Sequence, residues 1–396
     1  MSLLSLDEAR TRLLSLAEPC PVEHRQVDEC LGYFLAQPLL AARSQPSADL
    51  SAMDGYAVGG PEGPWTVIGE SAAGHPFLSE ISANEAVRIS TGAMVPPSCA
   101  GVVLQEDTAR EGDTVRLTGT APDPFNRHIR RAGLDFAEGR ELLPAGTAIT
   151  SRVIALGLAA GHSHFAVRSA PRVSLIDTGD ELVAPGRALG PGELPASNGA
   201  MLAAMLGHLP VAVRTTAPVP DNLNTLLDTL QTQSHIDVIV TSGGASVGDH
   251  DLLQPALKQW GAEISFWKVA IKPGKPLLVA RRGRQLVIGL PGNPVSAYVT
   301  ARLFLLPVLR AMMGAAQPSS PSRLLPLAEA LPPVGGRTEF LRAHWTAEGV
   351  VVAELQDSSA LTSLALAELL IERPAGAPYA AVGTNVPVHF LDSGIA

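Results

Sequence analysis

An apolar stripe opens the chain: Leu6, Ala9, Leu13 and Leu16 recur at helical spacing. Ser5-Leu6-Asp7-Glu8 in front of it has the form of a capping box, with Glu8 placed to reach back to the Ser5 amide. Gly32 and a short apolar run close this segment near Leu40. From about 41 to 135 the pattern changes to short apolar runs, Trp65–Ile68, Val87–Ile89, Gly101–Leu104 and Thr114–Leu117, parted by Gly and Pro turns. That pattern predicts a β-rich module of short strands. Helical spacing returns with Val153, Ile154, Leu156 and Leu158 behind a Thr150-Ser151 cap, and stops at Gly161. The β-rich stretch therefore reads as an insertion in a helical part.

From Pro171 to about Gly314, strands and helices alternate. Strands are predicted at Arg172–Asp177, Val211–Thr216 and Asp237–Thr241, and helices at Ser197–Leu206 and along the stripe Leu223, Leu226, Leu227, Leu230. This order implies a doubly wound, mostly parallel sheet flanked by helices. Ligands in such sheets sit beyond the carboxyl ends of the strands. A last helix is expected from Val295 to Met313, then a linker over 315–322 rich in Ala, Pro and Ser. The rest, to Ala396, alternates apolar and polar residues between turns and reads as a small β-domain.

With 396 residues, 46% hydrophobic and 17% charged, the chain is a folded protein of several domains without a disordered signature. Its 33 prolines and 37 glycines fit many short elements. A net charge of −9 argues against a duplex-binding surface, so no nucleic-acid partner is expected. An anion would need a local basic pocket or a metal. Cys20, Cys30 and Cys99 are few and widely spaced, and read as buried thiols rather than a zinc site or a disulfide framework. The N-terminus is acidic where a signal peptide is basic, and no uninterrupted apolar run reaches the length of a membrane span. A cytoplasmic protein without membrane contact is expected.

The turns after strands carry the candidate chemistry. In Thr241-Ser-Gly-Gly-Ala-Ser-Val-Gly-Asp-His-Asp251, glycines follow a buried strand and precede a helix, so their amides can approach an anion closely. It is not a dinucleotide fingerprint, and Asp249 stands where a phosphate loop needs Lys. Aspartates there make sense with a divalent cation between them and a phosphate. Lys268-Val-Ala-Ile-Lys-Pro-Gly-Lys-Pro276 is a compact cationic segment in an acidic protein, and alternation along Phe266–Ala270 puts Lys268 in a strand between apolar neighbours. Leu290-Pro-Gly-Asn-Pro294 opens a helix with Pro294 at its first position. Carboxylates recur in Ser51-Ala-Met-Asp54, in Asp177-Thr-Gly-Asp-Glu181 and in Pro220-Asp221-Asn222. Asp221 alone reads as a helix N-cap, and Asp180 or Glu181 alone as a helix start. Together these turns point to a phosphorylated anion with a hard metal ion. They do not name a substrate.

Seven segments, SAMDGYAV (51–58), RISTGAMVP (88–96), IRRAGLDF (129–136), DTGDEL (177–182), TSGGASVGDHD (241–251), AIKPGKPL (270–277) and GLPGNPVSA (289–297), run in order along the chain. The set resembles the molybdopterin molybdenumtransferases, the bacterial MoeA-type enzymes similar also to the carboxy-terminal part of gephyrin. The resemblance implies an α/β multidomain homodimer. Residues 1–40 with 136–170 would form an elongated helical domain, 41–135 the inserted β-rich module, 171–317 the molybdopterin-binding α/β domain, and 318–396 a C-terminal small β-barrel. It implies adenylylated molybdopterin, supplied by a molybdopterin adenylyltransferase upstream, together with molybdate and a divalent cation, normally Mg2+. AMP would leave as the dithiolene sulfurs take molybdenum.

By motif, the resemblance places Asp54, Thr91, Asp135, Glu181, Asp221, Asp251, Lys268 and Lys272 in the site. Glu181, Asp221 and Asp251 fall to the metal and adenylate phosphate. Lys268, Lys272 and Lys275 fall to oxyanions, molybdate among them. The adenylate would lie on the glycine turn, Ser242, Gly243, Gly244, Ser246 and Gly248, with Pro291, Gly292 and Asn293 beside it. Asp54 and Thr91 would complete the site across a cleft, from the same chain or from its partner. The last domain departs from the family pattern: no glycine follows the first serine in Asp357-Ser-Ser-Ala, and Glu368 stands where an asparagine is common. Two other readings compete: a gephyrin-like scaffold without catalysis, and a molybdopterin adenylyltransferase. The carboxylate–lysine set argues against the first. The second leaves residues 1–170 and 320–396 unexplained.

Overall fold

The computed structural model describes residues 3–244 and 252–391. Its largest core surrounds a six-stranded sheet made of β1 (Arg172–Asp177), β2 (Ala212–Thr215), β3 (Val238–Ser242), β4 (Glu263–Trp267), β5 (Leu278–Arg282) and β6 (Gln285–Leu290), in the order β2-β1-β3-β6-β5-β4. The first four of that order run parallel. β5 is antiparallel to both β6 and β4. After these two reversals β4 runs in the direction of β6, and its carboxyl end reaches the same edge.

Both faces are apolar, as helices on both sides require. Val173, Leu175, Val238, Val240, Leu286 and Ile288 face α1 (Asn198–Leu206) and α4 (Pro294–Met312). Ile176, Ile239 and Val287 face α2 (Leu223–Gln231) and α3 (Leu253–Gln259). The doubly wound domain is present as expected. α4 begins as its sequence predicts, with Asn293 before it and a proline in its first turn. Its 19 residues are apolar enough to cross a membrane by composition, but Arg302 and Arg310 interrupt them and 78% of the segment is buried in protein.

The N-terminal helix Leu6–Leu16 carries its capping box: the Glu8 amide donates to Ser5 Oγ at 3.3 Å, and the Ser5 amide to Glu8 Oε2 at 2.9 Å. Its Leu6, Ala9 and Leu13 are buried in the core beside α4. The helix Ser151–Ala159 is capped by Thr150 and packs on a second, smaller core with Val27, Tyr33 and Phe165. The β-rich stretch forms a six-stranded sheet whose spatial order is Gly101–Leu104, Gly55–Val58, Glu85–Ile89, Trp65–Ser71, Thr114–Leu117 and Thr108–Glu111. Trp65 anchors it, 1% exposed, with Nε1 donating to Gly60 O at 3.0 Å.

Near the C-terminus, Thr338–Thr346, Leu369–Arg373, Asn385–Phe390 and Arg323–Pro326 form a sheet, with Gly349–Val352 on the far side of Thr338–Thr346. A bridge between Leu327 and Val350 brings its ends together into a small barrel. Ile271–Lys272, from the β4–β5 connection, adds to this barrel by pairing in parallel with Thr338 and Glu339. Two of the three cysteines are buried as expected, and Cys99 is half-buried. Cys20 and Cys30 are buried, and burial pushes the Cys20 and Cys99 thiols up to about 11, so both rest protonated.

Candidate active site

Four turns meet at the carboxyl edge of the parallel sheet. Thr178, just past β1, bridges Val219, and the Gly179 amide donates to Val219 O at 3.1 Å. The Thr178 amide donates to Ser242 O at 2.9 Å, and the Gly243 amide to Leu290 O at 3.3 Å. Gly243 has φ +98, and a Cβ there would lie 2.4 Å from Thr178 O, so both conformation and space demand glycine. A Cβ on Gly292 would come 3.6 Å from the Gly243 Cα. The turn bearing Ser242, Gly243 and Gly244 thus lies against the turn bearing Pro291, Gly292 and Asn293. Ser246, Gly248 and Asp251 fall outside the described residues.

Two of the three expected carboxylates belong to this edge. Asp180 Oδ1 accepts the Asp221 amide at 2.9 Å, which joins the turn of Glu181 to the turn of Asp221. Asp221 is not the helix cap that its position suggests. Asn222 caps α2, its Oδ1 accepting the Asn224 and Thr225 amides at 3.0 and 3.1 Å. The helix starts one residue later than Asp221 would need. No helix follows Asp180 and Glu181 either: Leu182–Val183 pairs with Leu194–Pro195. Among the described residues no three His, Cys, Asp or Glu side chains gather to hold a metal, and Asp251 lies outside them. The donors at hand, Glu181 and Asp221, are oxygen only, which fits a hard cation such as magnesium.

The lysines sit on the same edge, at its other end. Lys268 is not within a strand: β4 ends at Trp267, and Lys268 has φ +121. The chain is drawn aside there by the N-terminal segment, because Leu4 donates to Lys268 O at 3.4 Å and accepts the Ala270 amide at 2.7 Å. Lys268 Nζ lies 4.4 Å from the centre of the Trp267 ring. Lys272 Nζ donates to Glu339 Oε1 at 3.0 Å, and Lys275 is exposed on the turn beyond. Four strand steps separate β1 from β4 in the sheet order. At about 4.8 Å a step that is roughly 19 Å. Carboxylates and lysines can therefore address opposite ends of one long ligand, not a single atom.

Asp54 and Thr91 form a separate pair on the β-rich module, and Asp135 is held elsewhere, against Gln45. The Thr91 amide donates to Asp54 Oδ1 at 2.6 Å. Hydrogen bonds from the Thr91 backbone and side chain hold the Asp54 carboxyl below the usual carboxylate range. The Asp135 amide donates to Gln45 O at 3.0 Å, and Arg140 reaches Asp135 O at 3.2 Å. Among the described residues no hydrogen bond joins these three to the sheet edge.

Three residues at or beside the edge receive no individual role in sequence reasoning. Asn198 Nδ2 donates to Ser242 Oγ at 2.6 Å and to Gly292 O at 2.7 Å, tying the two glycine turns together. Ser358, from the C-terminal domain, accepts from Asn293 Nδ2 at 2.9 Å. Asp177 lies beneath them, at the end of β1. In the sequence Asn198 looks like an ordinary helix-start residue, and Ser358 falls where the chain departs from the family pattern.

Residues 4–161 match the MoeA N-terminal region (domain I and II), 174–311 a probable molybdopterin binding domain, and 325–391 the MoeA C-terminal region (domain IV). The chain is 34% identical to a molybdopterin molybdenumtransferase of Haemophilus influenzae, covering 87% of this chain and 86% of that one. It is 31% identical to a molybdopterin molybdenumtransferase of Bacillus subtilis, covering 98% and 94%. Its fold superposes on the crystal structure of a molybdopterin biosynthesis moeA protein from Pyrococcus horikoshii OT3 with a TM-score of 0.82 at 25% identity, covering 98% and 100%.

Proposed function

The chain belongs to the molybdopterin molybdenumtransferase family, and on that premise we propose that it is the transferase that inserts molybdenum into molybdopterin. In the finer reading the substrate is adenylylated molybdopterin, delivered by a molybdopterin adenylyltransferase, and molybdate supplies the metal. The phosphoanhydride is hydrolysed, AMP leaves, and the dithiolene sulfurs take molybdenum. One observation carries this reading: a single sheet edge bears laced glycine turns and oxygen donors at one end and lysines at the other. An elongated substrate with an adenylate at one end and an oxyanion-receiving dithiolene at the other matches that span.

Each group has a defined task. The amide of Gly244 belongs to a turn at a strand end, where backbone donors can hold phosphate, while the Gly243 amide bonds Leu290 O and fixes that turn. Glu181 and Asp221 would hold magnesium, with Asp251 as their third partner. When bound, that ion withdraws charge from the phosphorus centre. Lys272 and Lys275, with Lys268, neutralise molybdate. Asp54, Thr91 and Asp135 complete the site from the β-rich module of the same or a partner subunit, which makes a homodimer part of the reading.

The test is incubation of the purified chain with adenylylated molybdopterin, magnesium and molybdate. The expected products are AMP and the molybdenum cofactor, with no turnover when the cation is chelated. Pyrophosphate release from ATP and molybdopterin would instead make it an adenylyltransferase. Absence of both products would leave a scaffold.

A further inference from the structure

We propose that Asp177 is a positioning residue of this site: from beneath the sheet edge it fixes the first turn of α1, and through that turn it fixes Asn198, which ties the two glycine turns together. The wiring stands on geometry alone. What it serves rests on the phosphate-site reading above.

Asp177 closes β1 and is 8% exposed. It is the register partner of Ser242 in the parallel β1–β3 ladder, so the two side chains emerge on one face. Its Oδ2 accepts the Gly199 amide at 2.9 Å. That amide is one of the donors that a helix leaves unsatisfied in its first turn. Ser197, the residue in the cap position, makes no capping hydrogen bond with its side chain. Asp177 supplies from a neighbouring strand the acceptor that the helix lacks locally. A Cβ on Gly199 would lie 2.8 Å from Asp177 Oδ2, so a larger residue there would push the helix off the carboxyl.

Asn198, the residue before Gly199, opens the same turn of α1. Ser242 Oγ in turn accepts from Asn198, whose amide nitrogen also reaches Gly292 O. One carboxyl therefore acts on β1, α1, the Ser242–Gly244 turn and the Pro291–Asn293 turn. Asp177 Oδ1 and Asn198 Oδ1 are both buried without a hydrogen-bond partner among the described residues. Burying a carboxyl with one oxygen unsatisfied costs stability. The serine already at position 197 is of a type that caps helices well, yet it makes no cap here and the distant carboxyl serves instead. The return for the cost is the link to the glycine turns.

The experiment compares wild type, Asp177→Ala, Asp177→Asn, Asn198→Ala and the Asp177→Ala/Asn198→Ala pair. Two quantities are read: hydrogen–deuterium exchange over 198–206 and 238–244, and affinity for AMP by calorimetry. Asp177→Ala should speed exchange in both segments and weaken AMP by about tenfold, as expected for one lost hydrogen bond to a charged group. Asp177→Asn keeps an acceptor for Gly199 and should preserve protection at the start of α1. The double variant should be little worse than Asp177→Ala, because both changes cut one network. Wild-type exchange over 238–244 in Asp177→Ala would overturn the proposal. If that variant does not fold, wild-type exchange over 238–244 in Asn198→Ala would overturn it equally. A wild-type protein that ignores AMP would fail the phosphate-site reading, while the exchange data would still decide the network.

Discussion

Lys272 Nζ donates to Glu339 Oε1 across 3.0 Å, and the two residues are also register partners where Ile271–Lys272 joins the C-terminal barrel. The lysine assigned to an oxyanion is thus already engaged by a carboxylate from another domain. A dianion arriving there has to replace Glu339.

Glu339→Gln should therefore lower the molybdate concentration needed for half-maximal turnover. The Lys272 side chain is 56% exposed, so solvent screens the pair and its worth is at most about 1 kcal/mol. That corresponds to a shift of up to about fivefold, with the melting temperature nearly unchanged. Lys272→Ala should act oppositely, costing about 1.5–3 kcal/mol in molybdate use and less in AMP binding. A molybdate titration of both variants decides; an unaltered midpoint in each would take this pair out of the site.

Asp221 and Asn222 can now be separated. Asn222→Ala removes the cap of α2 and should cost about 1 kcal/mol of stability in a denaturant titration. Asp221→Asn should fold and melt like wild type yet lose magnesium-dependent AMP release. Wild-type turnover by Asp221→Asn at limiting magnesium would remove Asp221 from the metal assignment.

Gly243→Ala forces a Cβ to within 2.4 Å of Thr178 O at φ +98. Such a backbone conformation costs an alanine about 1–3 kcal/mol, before any shift of the turn. Both the melting temperature and AMP affinity should fall. Retention of both would contradict the close lacing of these turns.

Burial pushes the Asp177 carboxyl up, partly offset by the Gly199 amide and the Ser242 hydroxyl. Well below the unfolded-chain value of about 3.9, both states carry the proton and the shift has no effect. As pH rises past that value the unfolded chain loses its proton first. Stability from this group then declines until the folded carboxyl ionises as well. Relative to wild type, Asp177→Asn should gain stability from acid towards neutral pH. Melting curves across that range test it, and a pH-independent gap between the two proteins would refute it.

Much of the architecture was legible because burial writes itself into spacing. Leu6, Ala9 and Leu13 read as one helix face and are one, and the apolar runs Arg172–Asp177 and Asp237–Thr241 read as strands and lie within the sheet. Errors arose where distant segments decide. Alternation around Lys268 looked like strand because nothing local shows Leu4 pairing beside it. Asp221 and Asn222 are both good caps, and a boundary shift of one residue exchanged their roles. Asp177 and Asn198 were invisible as a pair, since each has an ordinary local explanation and their link forms only where the end of β1 meets the start of α1.

The segment 268–272 of the β4–β5 connection is held from two sides at once, by Leu4 on one and by the barrel strand Thr338–Thr346 on the other. A seam of this kind transmits displacement. Any swing of the barrel pulls on the backbone that carries Lys272, and any tilt of the N-terminal helix pulls on the backbone of Lys268. On the proposed reading, an anion held by these lysines would lie where the N-terminal segment meets the barrel. Anchoring either terminus, by fusion or cross-link, would be felt at the lysines before it was felt at the carboxylates.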